Sequence, residues 1–191
     1  MRSVSVVAVL LSTFAVGAVS AQSRKFVGAP ETFNAKARVA TDDARGDVYV
    51  TIHVDKYTPE KERDAVVNAL KSGGSDGFLQ ALRKSPLAGK VDIGKQSFPI
   101  HWAREERNDK GRVITLVTDR PVYYVGAGLP DAKARAGFDV AVIQLQMDTS
   151  GVGEGTMAAA AKVKPGGATG VEVEDYATTP VKLPSVTRKI Q

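Results

Sequence analysis

The chain has 191 residues, no cysteine, 43% apolar and 25% charged residues, and a formal net charge of +5. So balanced a composition excludes a disordered polyelectrolyte, a collagen-like repeat and a disulfide-stapled miniprotein, each of which needs a strong compositional bias. The basic balance also fails as a nucleic-acid footprint, because the charges alternate in sign, as in Lys61-Glu62-Arg63-Asp64 and Arg104-Glu105-Glu106-Arg107, instead of clustering.

Arg2 precedes an apolar run from Val4 to Leu11 that continues through Phe14, Val16 and Ala18 and closes on Val19-Ser20-Ala21. A positive start, a short apolar segment and small residues at the end predict a cleavable signal peptide over residues 1–21, and hence a periplasmic or extracellular protein. The run is too short and too interrupted by serine and threonine to favour a spanning helix, and no later segment is apolar enough for one, so no transmembrane segment is expected in the mature chain. Residues 22–32, with a proline and a glycine, are expected to form a loose leader, and residues 33–191 a single domain. That length suffices for a core without disulfides.

Phe33, Ala35, Ala37 and Val39 alternate with polar residues, and Val48, Val50, Ile52 and Val54 do so more clearly, which predicts two strands joined as a hairpin. Thr58 as N-cap and Pro59 at the first helical position then open a helix to about Lys71. Ser72-Gly73-Gly74 breaks it, and a second helix bearing Phe78, Leu79 and Leu82 ends at Pro86, so a helical hairpin is expected at about 59–85.

Strands return after Lys95. Phe98–Arg107 and Arg112–Thr118 flank the turn Asn108-Asp109-Lys110-Gly111. Another strand is expected from Pro121 or Val122 through Tyr123 and Tyr124, then a long loop from Gly126 to Gly137. In the next strand Phe138, Val140 and Val142 take one face while Ile143, Leu145 and Met147 take the other, which predicts a β-bulge near Val142 and Ile143. After the turn at Asp148–Gly151, a strand places Gly153, Gly155, Met157, Ala159, Ala161 and Val163 on one unusually small face. A short strand around Val171 and Val173 and a last one from Val181 to Ile190, with Pro184 marking an edge or a bulge, complete the chain. The fold class is α+β, predominantly antiparallel sheet of eight or nine strands, closed as a barrel or arranged as a curved sheet or sandwich, with one inserted helical hairpin.

Candidate chemistry is sparse. His53 sits on the polar face of its strand beside Thr51 and Asp55. His101, Ala103 and Glu105 share a face, but four residues along a strand separate the histidine from the carboxylate by about 13 Å, too far to ligate one ion. Glu105 and Glu106 point to opposite faces, which rules out a shared acid–base pair, and Arg104, Arg107 and Arg112 are expected to form surface ion pairs across the hairpin. No Gly-x-Ser-x-Gly elbow is present, and Gly151-Val152-Gly153-Glu154-Gly155 lacks the spacing and following helix of a dinucleotide loop. No metal site or cofactor is expected. Trp102, Tyr123 and Tyr124 are the candidate ligand-binding residues, as aromatics on strands that can be neighbours. The reading is an exported, non-enzymatic module for a small molecule or a protein partner. A secreted hydrolase using His53 or His101, and a small outer-membrane barrel, are the alternatives.

Overall fold

A computed structural model describes residues 28–40, 45–122, 136–167, 170–177 and 179–189. Among these residues nine strands and one helix follow in the order β1 (Glu31–Ala40), β2 (Arg45–Val54), α1 (Glu60–Lys84), β3 (Gly89–Ile93), β4 (Gln96–Asn108), β5 (Gly111–Thr118), β6 (Val140–Met147), β7 (Val152–Gly166), β8 (Gly170–Tyr176) and β9 (Val181–Lys189). Every pairing is antiparallel, and the order β6-β5-β4-β3-β2-β1-β9-β7-β8 with an added β6–β7 ladder closes eight strands into a barrel. The expected antiparallel α+β class therefore holds, and of the three arrangements the closed one is adopted. β8 stands apart. It pairs with β7 from Ala161 to Gly166, while β9 pairs with the same strand from Val152 to Met157, so β7 and β8 form an arm running beyond the barrel wall.

Alternation builds the interior. Phe33, Val50, Ile52, Val91, Ile114 and Ile143 are among the side chains that fill it, all at most 1% exposed. At one end of the barrel the filling is charged, as described below. Closure requires close backbone approach at β7, where a Cβ on Gly153 would lie 2.0 Å from the Gln146 carbonyl oxygen, so only glycine fits.

One helix replaces the expected helical hairpin. α1 runs from Glu60 to Lys84, and Gly74, at φ 61°, is its only non-helical residue, so the chain kinks there and stays helical on either side. Thr58 does not cap it. Its hydroxyl instead accepts the Ala103 N–H at 2.9 Å, tying the approach to the helix onto β4. Both halves of α1 pack Val66, Val67, Leu70, Phe78 and Leu82 onto the outer face of the sheet.

The bulge expected in β6 falls elsewhere. β6 alternates without interruption, with Ala141, Ile143, Leu145 and Met147 inside and Val140 and Val142 outside, the latter two buried because α1 covers them. The extra residue near Val142 belongs to β7, where Val142 pairs with Ala158 but Val140 with Ala161. A single face from Gly153 to Val163 therefore does not form: Gly153, Gly155 and Met157 face the interior, and Ala158, Ala161 and Val163 face the helix. A second bulge makes His101 the extra residue on β4, between Ile100↔Thr118 and Trp102↔Val117. A third falls at Pro184, as its ring suggests, between Gly153↔Val186 and Gly155↔Leu183.

β1 begins at Glu31, two residues before its expected start, and both Glu31 and Thr32 are buried. The signal-peptide segment 1–21, the residues up to 27, Tyr123, Tyr124 and most of the loop from Gly126 lie outside the described residues.

Candidate functional site

The outward positions of β4 to β7 line up in cross-strand rows. Trp102, Val117, Val142 and Ala158 are register partners in sequence across four strands, and α1 buries the whole row. Two residues further along each strand lies a second row: Arg104, Thr115, Gln144, Thr156 and, across to β9, Lys182. α1 does not cover it. Glu106, Val113, Gln146 and Glu154 make a third.

The β8 arm overhangs these polar rows and makes a groove of them. Its first section, about 470 Å³, has Thr115, Gln144 and Thr156 on one side and Val173, Tyr176 and Pro180 on the other. A second section of about 450 Å³ shares Gln144 and Thr156 with the first and extends to Lys182 and Pro184. A third, about 340 Å³, continues past Gln146 and Glu154 to Lys110 and Asp148. Thr115 is 6% exposed and lines the first section, yet among the described residues its hydroxyl has no hydrogen-bond partner; the side chains of Gln144 and Thr156 have none either. Tyr176 is 45% exposed.

Two of the groove's carboxylates have a cation beside them. Arg104 holds Glu106 at 2.8 Å, and Lys164 lies 4.0 Å from Glu172. At the far end the Asp148 carboxylate accepts from the Ser150 hydroxyl and from the Ser150 and Val152 N–H groups; these bonds, the Ser150 side chain foremost, hold it below the usual carboxylate range.

Of the aromatic residues singled out in the sequence, Trp102 is 1% exposed in the helix-covered row, with its indole N–H unpaired among the described residues, and Tyr123 and Tyr124 lie outside them. The histidines are far apart in role. His101, pushed out of the ladder by its bulge, donates Nδ1–H to the Ser85 carbonyl at 2.9 Å and places Nε2 3.8 Å from Asp119. Burial raises the Asp119 carboxyl, but the hydrogen bonds and charge of Arg120 outweigh it and leave the group below its ordinary value. His53 lies on the outer face of β2 between the Thr32 hydroxyl, 3.3 Å from Nδ1, and Asp92, 3.3 Å from Nε2. Among the described residues no group of three or more His, Asp and Glu side chains is placed to hold a metal ion.

The largest departure from expectation is Arg112. Instead of a surface ion pair it is 2% exposed inside the barrel end, with Nη1 donating to Glu31 Oε1 at 2.9 Å and to Glu105 Oε2 at 3.1 Å, and Nη2 donating to the second Glu31 oxygen. Arg188 lies 3.2 Å from Glu31, Tyr57 donates to it at 3.5 Å, and the Arg112 guanidinium stands over the Phe33 ring. Burial pulls the guanidinium down, yet the Glu31 carboxylate outweighs that and holds it above its ordinary value; burial, then the Glu31 charge, pushes the Tyr57 phenol up. Such an enclosed cluster seals the barrel end and orders β1, β4, β5 and β9 around it. No chemistry follows from it, because Arg112 and Glu31 are spent on each other.

No protein-family model, curated protein or solved structure matches this chain. Among the described residues no helix is long and apolar enough to cross a membrane.

Proposed function

We propose that the protein is an exported, non-catalytic binding module that takes its ligand on the outside of the barrel, in the groove between the polar rows of β5–β7 and the β8 arm. The observation that carries this is the contrast between inside and outside. The barrel interior is filled by side chains and sealed by Arg112 and Glu31, whereas the groove presents Thr115, Gln144 and Thr156 with their hydrogen-bonding groups unused. Ligand sites are concavities with a few convergent polar groups, and this groove answers that description. The aromatic that borders it is Tyr176 rather than Trp102.

The hydrolase alternative draws on the Thr32–His53–Asp92 string, but Thr32 is 6% exposed and the string lies along a sheet face. A nucleophile needs an accessible site beside it where a reacting atom can sit. Against a membrane barrel stand the outward positions of β1 to β3, which include Asn34, Lys36, Thr51, His53, Lys90 and Asp92 where a lipid-facing band would be apolar.

The test is native mass spectrometry of the protein purified gently from the exported fraction, alongside Gln144→Arg, which fills the groove. A bound mass present in the parent and lost in the variant supports the reading. A bound mass that survives the variant, or turnover of any substrate that disappears in His53→Ala or His101→Ala, overturns it.

A further inference from the structure

We infer that the groove's ligand is a neutral oligosaccharide laid along β6; this rests on the groove being the binding site. Three features point to that class. The first is the hydrogen-bonding inventory. Hydroxyls at Thr115 and Thr156 and the amide of Gln144 each offer donor and acceptor together, as sugar hydroxyls do, and register pairing sets them side by side across three strands. Thr115 is the telling member: the residue is buried in the groove's floor, yet its hydroxyl keeps a solvent-reachable face and has no partner among the described residues, so it is free to bond a ligand in the groove.

The second feature is charge. Glu106 and Glu172 each have a cation at hand, in Arg104 and Lys164, and the middle section is lined by both Glu154 and Lys182, so the carboxylates offer acceptors in a groove of little net charge. That arrangement selects neither a phosphate-rich nor a polycationic ligand. The third is shape. The three sections share residues end to end, and from Val142 to Asp148 the floor extends roughly 20 Å at strand rise, room for several sugar units rather than one. Tyr176 and Val173 on the arm supply the apolar surface on which the C–H face of a ring can rest.

The experiment is amide chemical-shift mapping on the isotope-labelled protein. The probes are four neutral tetrasaccharides of different linkage (β-1,4-glucose, α-1,4-glucose, β-1,4-N-acetylglucosamine and β-1,4-mannose), with tetralysine and tetraglutamate as comparison ligands. The expected result is that at least one tetrasaccharide shifts residues 142–146, 154–158 and 173–176. Gln144→Ala, Thr156→Val and Tyr176→Ala should each weaken it by roughly tenfold, the loss of about one hydrogen bond or ring contact, while Tyr49→Ala on the opposite wall changes nothing. A charged peptide that shifts the groove when no sugar does overturns the oligosaccharide assignment and leaves the groove as the site. Sugar shifts mapping to another surface, or a groove that no probe of any class perturbs while the spectrum reports a folded chain, overturn both.

Discussion

Two neighbouring rows of the same sheet face have opposite characters. Trp102, Val117, Val142 and Ala158 are apolar and lie under α1; one pleat away, Arg104, Thr115, Gln144, Thr156 and Lys182 are polar, and of these Gln144, Thr156 and Lys182 are exposed. The strands themselves do not distinguish the rows, since β4 to β7 carry both and only Lys182 of the polar row lies beyond them, on β9. The difference teaches that a barrel of this size, its interior already filled, can use its outer wall for two purposes, a second hydrophobic core where a helix covers it and a recognition surface where none does.

The comparison is most sharply tested on its buried side. Trp102→Ala should destabilise by about 3–5 kcal/mol in denaturant melts, as for large aromatics removed from packed cores, and should loosen α1 from the sheet without touching the groove's polar row. A comparable loss, about 3–5 kcal/mol, is expected for Arg112→Met, which takes from the buried Glu31 its two-pronged partner and leaves only Arg188 and Tyr57 beside it. Pairing it with Glu31→Leu should recover most of that, since a buried ion pair replaced as a unit is often neutral. The bare row behaves otherwise. Gln144→Val and Thr156→Val should change stability by no more than about 0.5 kcal/mol, and their double variant should self-associate in sedimentation, having extended the apolar row onto an uncovered face.

Smallest is the acid response. Asp92 and Asp119 both ionise below the ordinary aspartate value of 3.8: burial opposes this in each, but Lys90 and Ser97 outweigh it for Asp92 and Arg120 does so for Asp119. Their contribution is therefore present above about pH 4 and lost as pH falls through the lower folded values, and Asp119→Asn should flatten the acid limb of a stability-versus-pH curve.

Much of this was legible in the residues. The alternation through Val48–Val54 and the turn at Asn108–Gly111 mark β2 and the β4–β5 hairpin without ambiguity. The boundary between the two rows was also written in β6, where continuous apolar Val140–Ile143 gives way to alternating Gln144-Leu145-Gln146-Met147. Read locally, that change resembles a bulge. Only a covering helix makes both faces of the first half apolar, and which helix covers which strand is not a local property. The same limit hid the groove, whose members lie on six strands and meet only in the folded sheet, and the Arg112–Glu31 pair, joined across 81 residues. His101 shows the converse: period-two reading placed it with Glu105, and one extra residue in the ladder was enough to separate them.

The end-to-end placement of β8 and β9 along β7 has a kinetic corollary. β9 is held on both edges, by β7 and by β1, whereas among the described residues β8 has its ladder with β7 alone. Deuterium should therefore enter the amides of Val173 to Tyr176 well before those of Leu183 and Val186, although both segments share one partner strand, so that the arm opens and recloses on a barrel that stays shut.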